Sequence, residues 1–171
     1  MNTMLGRVGV LGLTGVIALT SRWARGTEEF PPLFPFVISY DAPDNASNVA
    51  HLLDAPAGKH GFIRVENGHF VDDRGTVRLH GTNLTGPANF PTHEAADKLA
   101  ARLARFGINC VRLHLFDSEV YASNFPKPLE RTACIFGANP KSLRVFDPGQ
   151  VDRQDYLIAA LKKRGIYVNI N

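Results

Sequence analysis

Residues 101–116 read ARLARFGINCVRLHLF, and residues 159–171 read AALKKRGIYVNIN. The two stretches share one grammar. Each begins as the end of an amphipathic helix and passes through a basic last turn (Arg102 and Arg105; Lys162, Lys163 and Arg164), where cations suit the helix dipole. Each then meets a single glycine in the position that ends a helix, Gly107 or Gly165, and continues as a strand-type run. With a further strand-type segment before the first helix, the order is strand 76–84, helix 92–106, strand 108–116, helix 152–164, strand 166–171. Strand–helix alternation of this kind specifies a parallel sheet.

Strand side chains alternate faces with a period of two. In 108–116, Val111, Leu113 and Leu115 share one side, and Ile108, Cys110, Arg112, His114 and Phe116 share the other. In 166–171, Ile166, Val168 and Ile170 oppose Tyr167, Asn169 and Asn171. In 76–84, Leu79, Gly81 and Asn83 oppose Arg78, His80 and Thr82. Three successive strands thus carry polar groups towards their C-terminal halves, the end at which parallel α/β architectures build sites.

The first helix is expected to take Thr92 as N-cap with Glu94 in its first turn, and to bury Ala96, Leu99, Ala100, Leu103 and Phe106. The second is expected to take Asp152 as N-cap and to bury Tyr156, Leu157, Ala160 and Leu161. Upstream, 62–65 and 69–71 read as a hairpin across Asn67-Gly68. A second turn falls at 72–75. Before it, 36–40 reads as a short strand and 44–53 as a short helix capped by Asp44. Asn45 and Asn83 open glycosylation sequons. Between 117 and 150 runs a long loop with Tyr121, Phe125, Phe136 and Phe146, aromatics that suit either stacking on a ligand or pinning the loop.

The chain of 171 residues carries a formal net charge of +3. The excess is confined to residues 1–26, which hold Arg7, Arg22 and Arg25 and no acid; the remainder is balanced. A nucleic-acid partner is therefore not expected. The same segment has the apolar run 8–19, of signal-peptide length, with small residues at 18–20 and 24–26. Residues 1–26 are read as a signal peptide, 27–60 as an extension and 61–171 as the main domain, exported and with no stable membrane insertion after cleavage. The two cysteines, Cys110 and Cys134, are too few for a disulfide scaffold, although one bridge between them is possible.

Neither a dinucleotide-binding glycine pattern nor a phosphate-binding loop follows the first strand. A small doubly wound domain would also need helices on both faces of the sheet. Polar residues on one face of adjacent strands fit a barrel better. The lead-in RVENGHFVDDRG (64–75), the strand LHGTNL (79–84), the strand 107–114 and the segment DYLIAALKKRGIYVNIN (155–171) together resemble the opening of a clan A glycoside hydrolase, most closely glycoside hydrolase family 5, the cellulase-like group. The resemblance spans residues 62–171. It implies a partial (β/α)8 TIM barrel, its first three strands, preceded by the extension and the lead-in hairpin.

The resemblance also implies roles. Arg112 would support the nucleophilic carboxylate; Asn83, His114, Asp117 and Asn171 would line the carbohydrate cleft; no metal and no organic cofactor is called for. The substrate class is a β-linked poly- or oligosaccharide. Such hydrolysis needs two carboxyl groups flanking the glycosidic bond, and in that family both are glutamates after later strands, so the 171-residue chain is expected to be inactive alone. Asp117, Glu119 and Glu130 read as solvated loop acids rather than substitutes. A metal site from His80, His114 and Asp117 is disfavoured by strand parity. The alternative function is a non-catalytic carbohydrate-binding protein, or an α/β chain completed by a partner.

Overall fold

A computed structural model describes residue 33 and residues 44–118, 126–127, 129, 133–137 and 144–171. The chain divides into two units, Met1–Val37 and Ile38–Asn171. Leu33 is the one described residue of the first. The expected signal peptide and the expected strand at 36–40 lie outside the described residues. No helix among the described residues is long and apolar enough to cross a membrane.

Among its described residues, the second unit contains two separate three-stranded sheets and two α-helices. The first sheet is an antiparallel meander of β1 (Arg64–Glu66), β2 (His69–Asp72) and β3 (Gly75–Thr76). Glu66 pairs with His69 across the expected turn. Asn67 and Gly68 both have positive φ, 51° and 78°, as a two-residue turn matched to strand twist requires. The next turn also closes on the sheet: Val71 pairs with Thr76, and the Val77 amide donates to the Phe70 carbonyl at 2.8 Å. The lead-in is therefore three-stranded, and the strand expected over 76–84 is split. Its first residues complete the meander, and 81–85 alone enter the second sheet.

The second sheet is parallel, in the order β4 (Gly81–Thr85), β5 (Cys110–His114), β6 (Tyr167–Ile170). Helix α1 (His93–Arg105) connects β4 to β5, and α2 (Pro148–Lys163) precedes β6. Both helices pack on the same face. One buried cluster joins Leu84, Val111 and Leu113 of the sheet to Ala96, Ala100 and Ala104 of α1 and to Leu157, Ala160 and Leu161 of α2, with Ile166 beneath. The alanines recur every fourth residue, so α1 presents a stripe without bulk and its backbone can approach the sheet closely. Among the described residues, no helix lies on the other face, as the doubly wound alternative would require.

The partial barrel is not what forms either. The meander and the parallel sheet are not hydrogen-bonded into one sheet, and β4 and β6 are both edges of an open three-stranded layer. A barrel removes its edges by closing one continuous sheet on itself; three strands flanked by a separate antiparallel sheet do not do this.

Both helix ends obey one rule. Gly107 donates to Ala104 and Ile108 to Leu103 at the end of α1; Gly165 donates to Lys162 and Ile166 to Leu161 at the end of α2. This paired arrangement satisfies orphan carbonyls and needs a left-handed residue, with φ 71° at Gly107 and 81° at Gly165. Thr92 caps α1 as expected, its hydroxyl accepting from the Ala95 amide at 3.2 Å. Phe106 does not join the core; it is the C-cap of α1, with the Arg102 guanidinium 5.1 Å over its ring.

Helix α2 starts four residues before the expected site. Asp147, not Asp152, is its N-cap, with Oδ1 accepting from the Gln150 amide at 3.0 Å, and Pro148 sits at the first turn where no amide is missed. Asp152 instead faces α1: it lies 2.9 Å from His93 Nε2, while Tyr156 stacks on His93 at 3.9 Å and its hydroxyl donates to Asp97. That bond to Asp97 pushes the tyrosine hydroxyl above its ordinary pKa. Asp147→Ala is expected to cost about 1 kcal/mol, and Asp152→Ala less than half of that. Urea denaturation of both variants checks the order.

The expected helix at 44–53 is reduced to one 3-10 turn, Ala50–Leu52. Asp44 does not cap it, but accepts from Asn48 Nδ2. The segment is instead tied to α1. Arg105 is buried and donates to Asn45 Oδ1 at 2.9 Å, and the Val49 amide donates to the Arg105 carbonyl.

Candidate functional site

The registry of the parallel sheet aligns its polar residues into rows. Asn83 lies beside Arg112, which lies beside Asn169. One step towards the C-terminal ends, Thr85 lies beside His114, and Asn171 follows β6. Towards the other end the row is Gly81, Cys110 and Tyr167. All of these share the face that the helices leave uncovered, whereas Leu84, Val111, Leu113 and Val168 point into the helix layer. The expected division of faces therefore holds in all three strands, and it explains why an arginine and a histidine sit two residues apart in β5.

Three of the five expected site residues form one hydrogen-bonded string. Arg112 Nη2 donates to Asn171 Oδ1 at 2.5 Å, and Asn171 Nδ2 is 3.3 Å from His114 Nδ1. The arginine can only donate, so it fixes the amide oxygen on its own side and turns the NH2 to the imidazole. His114 Nδ1 is then an acceptor, and its ring carries the proton on Nε2. Asn83 is exposed beside Arg112. Asp117 is exposed beyond the end of β5 and is not drawn into the string. None of the residues of this face within the strands is a carboxylate. Glu119 and Glu130, with Tyr121 and Phe125, lie outside the described residues.

β5 stops at His114 because the next residue turns. Leu115 has φ 53°, a left-handed conformation that costs a non-glycine residue about 1–2 kcal/mol. The turn carries Leu115 and Phe116 off the expected alternation, and Phe116 packs against the main core. A residue that carried no signal in the sequence holds this corner. Asn89, fully buried in the 3-10 turn Gly86–Asn89, donates through Nδ2 to the Gly86 carbonyl at 3.1 Å and to the His114 carbonyl at 3.0 Å. A buried asparagine spanning the ends of β4 and β5 is visible only once the strands are paired.

Other expectations resolve by distance. His80 precedes Gly81, and His114 pairs with Thr85, so the two histidines are about 16 Å apart along the strands. No group of three metal-ligating side chains occurs among the described residues. Cys110 and Cys134 are not joined to each other, so the possible bridge does not form. Burial pushes the Cys110 thiol above its ordinary pKa. Phe136 packs on Ala133 and Cys134, with its ring 5.5 Å from that of Phe146.

A cavity of about 280 Å³ lies at the opposite end of the strands, among Asp54, Arg74, Arg78 and Asn109, and one of about 570 Å³ runs beside β6 and takes in Cys110, Tyr167 and Asn169 of this face. Comparison with protein-family models, with curated proteins and with solved structures finds no match for the chain.

Proposed function

We propose that the uncovered face of the parallel sheet binds a β-linked oligosaccharide, as the resemblance to the cellulase-like glycoside hydrolases implies. The observation that carries the reading is the string Arg112–Asn171–His114 flanked by Asn83 and Asn169. Guanidinium and amide groups in fixed orientation offer paired donors and acceptors, which suits the adjacent hydroxyls of a sugar ring. Tyr167, half-buried on the same face, adds an amphipathic ring. Hydrolysis in the manner of those enzymes requires two carboxyl groups on either side of the bond. The strand residues of this face supply none, so binding is the activity the arrangement supports best.

The test is calorimetric titration of the full chain with β-1,4- and β-1,3-linked glucose and mannose tetrasaccharides, with reducing-end release measured in parallel. At least one tetrasaccharide is expected to bind, with affinity about tenfold lower in Arg112→Ala and in Asn83→Ala, and without cleavage. Absence of binding at millimolar sugar, or equal binding by both variants, overturns the reading. Cleavage by the chain alone overturns the non-catalytic half of it.

A further inference from the structure

The edge of the parallel sheet opposite β4 points to a second surface, which adjoins the sugar-binding face at Tyr167 and Asn169. β6 pairs with β5 on one side only. The Tyr167 amide donates to Asn109 and the Asn171 amide to Leu113. By the alternation of a parallel strand, the backbone groups of Val168 and Ile170 are then directed outwards. No hydrogen bond joins either outward group to a described residue.

A groove of about 570 Å³ straddles this edge. Phe62, Ile63, Phe70, Leu79, Ile158 and Val168 are its apolar lining, beside Tyr167 and Asn169. Phe62 is 90% exposed and Ile170 is 64% exposed, far more apolar surface than a finished core would leave here. A smaller pocket of about 320 Å³ shares Ala57, Gly58, Gly61, Phe62 and Lys162 with the groove and adds Lys59. Lys59 and Lys162 are the only charged residues lining either space, and neither ammonium has an ion-pair partner among the described residues.

We propose that this edge and groove bind an extended peptide segment whose apolar side chains enter the groove and whose acidic residue sits at Lys59 and Lys162. Strand addition gives main-chain hydrogen bonds from the open edge, and the groove selects alternate side chains. The lysines, placed near the start of β6, select an acid. A fatty carboxylate would satisfy the groove and the lysines but leave the outward groups of Val168 and Ile170 unused.

The probe is a fluorescein-labelled peptide, EEVFVTVT, titrated with the full chain by anisotropy beside its counterpart KKVFVTVT. The acidic peptide is expected to bind about tenfold tighter than the basic one, and Lys162→Glu to remove or reverse that preference. Ile170→Pro deletes an outward N–H at an edge position where proline is tolerated. It is expected to weaken binding about fivefold or more, with an unchanged circular dichroism spectrum. No binding, equal binding of the two peptides, or a preference unmoved by Lys162→Glu overturns the proposal. So does binding insensitive to Ile170→Pro, or a chain that sediments as a dimer without peptide.

Discussion

Leu113→Ala is expected to lower the unfolding free energy by about 3–4 kcal/mol, near the upper part of the range for buried leucines. The side chain is fully buried in the central strand of the parallel sheet. It shares its rung with Leu84 of β4 and Ile170 of β6 and belongs to the cluster joining the sheet to both helices. The stripe of small alanines on α1 is already close to the sheet, so the helix cannot sink further to fill the space; most of the vacated volume remains as a cavity. For a domain whose total stability is about 5–15 kcal/mol, the loss is large enough to show as partial unfolding at 37 °C. Ile170 tests the same rung from the edge. At 64% exposure, Ile170→Ala is expected to cost about 0.5 kcal/mol or less. Urea denaturation of the pair measures the difference. Similar costs at the two positions would mean that the helices do not cover β5 as described.

Much of this core can be read along the sequence because burial follows period. The two helix–glycine–strand junctions, the Asn67-Gly68 turn and the division of faces in β5 and β6 each rest on a local rule, and tertiary structure agrees with each. The failures occur where a local rule has two outcomes. The run 76–84 has strand character throughout, but its first residues complete the meander with β2 and its last pair with β5. Asp147-Pro148 and Asp152 both resemble helix starts; the proline decides between them, because it is free of cost only in the first turn. Barrel closure has no local signature at all. Alternating faces specify that one side of a sheet is polar, but not that the sheet continues until it meets itself.

The candidate site shows the same division. Arg112, His114 and Asn171 can be placed together from parity and from the expectation that the strands are parallel and adjacent. Asp117 cannot, because the left-handed turn at Leu115 lies between it and the strand and redirects the chain. Asn89 is invisible for a different reason. Its role is to bond the His114 carbonyl, 25 residues away in sequence, and nothing near Asn89 records that partner. A buried amide of this kind acts on the site by fixing a strand end.

The two terminal glycines separate a conformational cost from a steric one, and Gly165→Ala is expected to be the costlier by a wide margin. Both positions are left-handed, and alanine at either pays about 1 kcal/mol or slightly more for that conformation. Their surroundings differ. A Cβ on Gly107 would meet Val49 Cγ2 at 3.1 Å, a side-chain methyl that can rotate away. A Cβ on Gly165 would meet the Asp54 carbonyl oxygen at 3.0 Å and carbon at 3.1 Å, with the Ala55 nitrogen at 3.2 Å. Those are backbone atoms, and they are held in place. The Ala57 amide donates to the Lys162 carbonyl at 2.9 Å, and Asp54 Oδ2 pairs with Arg74 at 2.7 Å. Relieving the contact therefore means moving the segment that ties α2 to the turn between β2 and β3. Gly107→Ala is expected to cost about 1 kcal/mol and Gly165→Ala about 2–3 kcal/mol. Hydrogen exchange supplies an independent readout. In Gly165→Ala the Ala57 amide is expected to lose protection before the amides of β5 do, whereas in Gly107→Ala it keeps its protection. Equal destabilisation by the two substitutions, with Ala57 unaffected in both, would show that the Asp54 segment does not pack against the end of α2.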